Sequence, residues 1–265
     1  MTIELTLFLM LIGIVAGVLS KAVNFSPAFI AISAAYFFLP IFNTSLEHAL
    51  LSVVATSIFS FLPMHIYTWL ESMRSKSIDF PMLVQFSPGI ALGAIIGAQV
   101  LSFMNPIVFK VCFSLLVIIY TYNALLSSNL ITHKVRKTSK GFSLLVGMLV
   151  GGVSLLAGSC GRVLGDSLFS FLSKDLNNKE ATVRGFVVFT SIAALIGFAF
   201  PAQGFDTHNL FGFTGAVHLP SALIMGLSFS VAYLLCRRQI NDLDKNVLII
   251  SCVLFLVFTV FRLWL

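Results

Sequence analysis

Val53-Val54-Ala55-Thr56-Ser57-Ile58 returns as Val187-Val188-Phe189-Thr190-Ser191-Ile192, half a chain further on in a sequence of 265 residues. Gly13 and Gly17 return at the same spacing as Gly147 and Gly151. The two copies divide the chain into an N-terminal repeat, 1–132, and a C-terminal repeat, 133–265, expected to form one integrated transmembrane domain. Both copies lie in strongly apolar surroundings. A membrane chain made of two related halves is first a transporter candidate, because two similar bundles can rock about a site held between them.

Composition excludes most other classes. Hydrophobic residues make up 58% of the chain and charged residues 10%, and the mean hydropathy is +1.01. In soluble domains about a quarter of the residues are charged. The net charge of +6 does not point to nucleic acid, because the basic residues fall in short loops between apolar runs, the pattern of cytoplasmic loops. The first apolar run reads as part of the fold rather than a cleaved leader, since it carries Glu4 in place of a basic start and takes part in the repeat. Cys112, Cys160, Cys236 and Cys252 show no metal-ligand spacing. No zinc motif, phosphate loop or nucleophile elbow appears, so neither a cofactor nor an enzyme is expected.

Ten apolar segments can be read: 5–20, 26–42, 46–70, 81–104, 106–128, 141–157, 162–173, 181–200, 215–236 and 247–265. About 20 helical residues cross the hydrocarbon core, and six segments are long enough. The first two of each half are shorter, and each such pair reads as a broken or re-entrant helical hairpin, with two thin full spans as the alternative. Short, interrupted segments at matching places in two repeats point to a transporter's binding site. The fold class is therefore all-α: a polytopic membrane protein of two repeats, each a hairpin plus three transmembrane helices. Lys and Arg concentrate in the loops 72–79, 133–140, 173–184 and 237–245. That distribution predicts an inner-membrane protein with both termini outside. Ile78-Asp79-Phe80-Pro81 aligns with Val217-His218-Leu219-Pro220, so basic loops of one half correspond to loops poor in Lys and Arg in the other. The repeats are expected to be inverted.

The two breaks carry the candidate chemistry. The first reads Lys21-Ala22-Val23-Asn24-Phe25-Ser26-Pro27, where Ser26 and Pro27 form a helix start. A helix N-terminus offers unpaired N–H groups to an anion. Lys21 adds a positive charge, or else snorkels to the interface. The second reads Gly158-Ser159-Cys160-Gly161-Arg162, with Asp166 one turn on. Arg162 can fork onto an oxyanion, and Asp166, the one acidic residue inside a helical segment rather than at its end, is the proton-coupling candidate. Arg162 and Asp166 could instead neutralise each other. The pairs Thr56-Ser57 and Thr190-Ser191 are expected to line a central cavity. The expected binding set is thus Lys21, Asn24, Ser26, Thr56, Ser57, Ser159, Cys160, Gly161, Arg162, Thr190 and Ser191. His48, His65, Gln85 and His218 read as interfacial, and Gly89, Gly93 and Gly97 as a helix-packing stripe.

The repeated stretches 53–58 and 187–192, the short loop into Ile78-Asp79-Phe80, the helix holding Pro88, Gly89, Gly93 and Gly97, and the glycine-spaced first helix of each half together resemble the TauE/SafE sulfite exporters, also called toluene-sulfonate uptake permeases. The resemblance implies a carrier of small sulfur-containing anions such as sulfite, thiosulfate or organosulfonates in the lipid bilayer. A homodimer is an arrangement open to it. A passive anion channel, or a membrane-embedded enzyme or cofactor-handling subunit, is the alternative. The family tends to carry a glycine cluster after the first helix of each half. Here those positions hold Asn24-Phe25-Ser26-Pro27-Ala28 and Gly158-Ser159-Cys160-Gly161-Arg162, which implies an altered pocket.

Overall fold

A computed structural model describes residues 3–38, 46–75, 78–126, 140–172, 178–201, 212–236 and 244–265. Most of the loop charge used for orientation, including Lys76, Lys134, Arg136, Lys137, Lys174, Arg237 and Arg238, lies outside the described residues. Among the described residues ten helices follow one another: α1 (Ile3–Val23), α2 (Pro27–Phe38), α3 (Leu46–Arg74), α4 (Phe80–Phe103), α5 (Pro106–Leu126), α6 (Lys140–Leu156), α7 (Arg162–Leu172), α8 (Lys179–Ala199), α9 (Leu219–Leu235) and α10 (Lys245–Trp264). The chain is an all-α polytopic membrane protein, with one short hairpin of β1 (Phe213–Thr214) and β2 (Val217–His218) before α9.

Six helices are long and apolar enough to cross a bilayer, but they are not the six expected. α1 reaches 21 residues and qualifies. α9 does not, because 213–218 leave the helix to form the hairpin and only 17 residues remain. Gly215, with φ +57°, opens its two-residue turn, the backbone sign that such hairpins need at that position. The turn is fastened where the Ala216 N–H donates to the Phe198 carbonyl at 3.0 Å.

The helices group into two compact units, residues 1–63 with 198–265 and residues 64–197. These units do not coincide with the sequence halves. In the first unit α1 of one repeat packs on α9 of the other; in the second, α6 packs on α4. Glycine makes both seams. A methyl group built on Gly17 would lie 2.6 Å from the Phe229 carbonyl oxygen and 3.1 Å from the Tyr233 nitrogen. One built on Gly151 would meet the carbonyl oxygen of Ile90 and the nitrogen of Ala94, the latter at 3.1 Å. Gly13 and Gly147 likewise face Met225 and Phe229 in one unit and Phe86 and Ile90 in the other. Under the sequence repeat Met225 corresponds to Phe86, Phe229 to Ile90 and Tyr233 to Ala94, so the backbone contacts of Gly13 and Gly17 have counterparts at Gly147 and Gly151. The backbones approach without side chains between them, as small-residue seams in membranes require. The stripe of Gly89 and Gly93 on α4 completes the second seam against Leu144 and Met148 of α6.

The chain passes between units twice, after Pro63 within α3 and after Gly197 near the end of α8. Pro63 and Gly197 are themselves equivalent positions of the two repeats. In the second unit Phe86, Ile90, Phe169 and Phe186 form the apolar core. In the first, the rings of Phe61 and Phe229 meet at 4.7 Å.

Candidate functional site

In the first unit, α1 ends at Val23 and α2 starts at Pro27, as the serine–proline signature predicts. Asn24 takes the left-handed conformation, φ 55°, that turns the chain, a conformation asparagine tolerates better than most residues. Phe25 and Ser26 are buried. The Lys21 ammonium sits 4.9 Å from the centre of the Tyr233 ring, a cation–π contact. Thr56 and Ser57 stand apart from this break, on the wall of a cavity of about 230 Å³ inside the same unit. The Thr56 hydroxyl accepts the backbone N–H of His218 at 3.0 Å. Ser57 donates to the Val54 carbonyl at 2.9 Å. His218 and Ser221, joined Nδ1 to Oγ at 2.6 Å, line the same cavity beneath the Phe213 ring.

In the second unit, α6 ends at Leu156 and α7 begins at Arg162. Three residues of the connection lie at positive φ: Gly158 at 73°, Cys160 at 53° and Gly161 at 82°. Gly158 is the counterpart of Asn24. Glycine supplies that backbone freely, whereas Cys160 bears a Cβ there and is strained. The Ser159 N–H and hydroxyl both donate to the Ser154 carbonyl, at 2.8 and 3.2 Å. Gly161 lies directly on α8, where a methyl group would be 2.7 Å from the Thr190 Oγ1. Thr190 donates back to the Phe186 carbonyl at 2.7 Å, while the neighbouring Ser191 hydroxyl faces the Cys160 thiol. Thiols are weak partners, and the fully buried hydroxyls of Ser191 and Ser154 have no hydrogen bond of ordinary geometry. Buried polar groups are ordinarily satisfied, so these two hydroxyls in the second unit are exceptions.

Arg162 occupies the first turn of α7, half-buried. Among the described residues its guanidinium makes no hydrogen bond and no close ion pair, though Asp166 and His65 lie within its electrostatic reach. The Asp166 carboxylate lies 4.0 Å from the Lys179 ammonium and also feels the Arg162 charge, and Lys179 donates to Ser170 at 2.7 Å. Arg184 pairs with Glu180 and donates to Ser72 at 3.3 Å.

The expected residues thus fall into two groups, each described within its own unit. Cys160, Gly161, Thr190 and Ser191 come together, with Ser159 and Arg162 adjoining. Thr56 and Ser57 share a cavity that Lys21, Asn24 and Ser26 do not line. Sequence reading overlooked Ser154 and Lys179 and left His218 at the interface. Ser154 had a signal in the chain, since Ser20 holds the equivalent place in the first repeat and both are buried.

Residues 9–263 match the family model described as Sulfite exporter TauE/SafE. No curated protein and no solved structure matches the chain.

Proposed function

The chain belongs to the TauE/SafE sulfite exporter family, whose members are membrane transporters, and from that premise we propose that it is a secondary carrier of a small sulfur-containing oxyanion. Sulfite, thiosulfate and organosulfonates are the candidate cargoes, and alternating access in the bacterial inner membrane is the mechanism. The single observation behind this reading is the Arg162 guanidinium at the start of a broken helix, without a hydrogen bond or close ion pair among the described residues. An unpaired charge at membrane depth costs about 2.5–3.5 kcal/mol on the most lenient scale. An anion that forks onto Arg162 and accepts from the first N–H groups of α7 removes that cost.

In this reading Lys21, Asn24, Ser26, Thr56 and Ser57 are further anion-binding residues within the first unit. The repeats are inverted, as alternating access requires. Both termini lie outside. An inside-negative potential favours anion exit by about 2.3 kcal/mol per charge per 100 mV, so export needs no coupling ion. Uptake would draw on a proton carried by Asp166.

Counterflow in proteoliposomes tests the mechanism. Labelled sulfite should exchange faster when unlabelled sulfite is present on the far side. Exchange indifferent to trans substrate would make the protein a channel, and no sulfite flux at all would remove the transport reading for this anion.

A further inference from the structure

We infer that the cavity of the first unit is a binding site for a small uncharged organic molecule, with a ring-sized apolar body and one hydroxyl or carbonyl head. The inference goes beyond the transport reading and does not depend on it. The cavity, about 230 Å³, lies among α1, α2, α3, the β-hairpin and α9, all parts of the first unit. The repeat shows what opens it. Ala35, Ser52 and Ser221 on its wall stand where the second unit has Phe169, Phe186 and Met82. Those larger side chains are buried in one apolar core with Phe86, and the Phe86 and Phe186 rings meet edge to face at 6.5 Å. One fold thus fills this space in one unit and leaves it open in the other. Close packing is the rule inside proteins, and here apolar volume is exchanged for two hydroxyls.

Size and lining define the guest. An apolar cavity of about 150 Å³ takes up benzene, and drug-sized ligands fill about 300 Å³ or more, so this one admits a single substituted ring. Leu5, Phe8, Leu9, Ile12 and Met225 give the body an apolar wall. Thr56 and Ser57 share that wall, but their hydroxyls already hold backbone partners, the His218 N–H and the Val54 carbonyl. The head therefore meets the His218–Ser221 pair, joined at 2.6 Å. A serine hydroxyl has one donor and two acceptor sites, so Ser221 keeps capacity for a guest. None of the described residues on the wall is Lys, Arg, Asp or Glu. A charged head would be desolvated there without a counter-charge, which is costly.

Fluorine NMR of 4-fluorophenol with the full-length protein in phosphatidylcholine nanodiscs, compared with empty nanodiscs, reads occupancy directly. The signal should broaden with added protein. Affinity should rank 4-fluorophenol about fivefold above fluorobenzene, the worth of one neutral hydrogen bond, and on the order of tenfold above 4-fluorobenzenesulfonate. Ser52→Phe installs the side chain that the second unit already packs, and should weaken binding on the order of tenfold without lowering the melting temperature. Should it fail to fold, Ser221→Ala decides, because it should erase the advantage of 4-fluorophenol over fluorobenzene while keeping the cavity. Broadening no greater than in empty nanodiscs, or undiminished binding in Ser52→Phe, overturns the site. Tighter binding of 4-fluorobenzenesulfonate, or displacement of 4-fluorophenol by sulfite, overturns the uncharged class and gives the cavity to the transported anion. Absence of sulfite flux, by contrast, would remove the transport reading and leave this site standing.

Discussion

The two compact units are built alike and equipped differently. Gly13 and Gly17 of α1 meet the α9 backbone at positions equivalent to those where Gly147 and Gly151 of α6 meet α4. Asn24 and Gly158 turn the chain in the same left-handed conformation at equivalent points. At the next equivalent positions the likeness stops. Ala28, fully packed, stands where the second unit has Arg162, and Ile32 stands where it has Asp166. At the head of the fourth helix, Asp79 caps α4 by accepting the Met82 N–H at 3.1 Å. Its counterpart His218 caps nothing and turns to Ser221 and the cavity. Repetition has kept the backbone seams, where any side chain would clash, and released the positions at the two breaks. Scaffold is symmetric; charge is not.

The largest test of that contrast is Arg162→Ala. Charged hydrogen bonds contribute about 1.5–3 kcal/mol each, so sulfite flux in proteoliposomes should fall at least tens of fold while the melting temperature of the ligand-free protein does not fall. Ala28→Ser, at the equivalent place in the first unit, should leave flux nearly intact. Equal losses from both would erase the asymmetry.

The seams come next. Gly17→Ala and Gly151→Ala should each destabilise the protein by about 1–3 kcal/mol, the usual cost of overpacking, measured by denaturation in detergent. Similar values would support equivalent seams. Gly141→Ala, where nothing lies within 4 Å, should be neutral or slightly stabilising, since alanine is the better helix former.

A smaller effect separates the two helix heads. Asp79→Ala should lose about 1 kcal/mol of stability with its cap, and His218→Ala should lose less. The smallest contrast is between the serines. Ser57 and Ser191 should each be replaceable by alanine within about 0.5 kcal/mol of stability. Only Ser191→Ala should also weaken sulfite binding, by a few fold, the worth of one neutral hydrogen bond.

Much of this architecture was legible in the chain. Hydropathy runs, the Ser26-Pro27 start and the glycine pairs marked the helices and their packing stripes, because helix seams and helix starts are written in local residue types. The swap of partners, with α1 on α9 and α6 on α4, was not legible, since a glycine stripe says that a backbone approaches but not which one. The hairpin at 213–218 was hidden because Val217 and Ala216 are as apolar as a helix end, and Gly215 alone marks the turn. At the site, Arg162 stood out as a charge in an apolar run. Lys179 did not, because a lysine at a loop edge reads as an orientation signal, and its pairing with Asp166 depends on tertiary approach between α7 and α8.

Hydrogen–deuterium exchange on the purified protein with and without sulfite tests the central claim most directly. The account predicts slower exchange of the backbone N–H groups in residues 158–166 when sulfite is present, and loss of that protection in Arg162→Ala. Protection that survives in Arg162→Ala, or none in this segment at saturating sulfite, would contradict it.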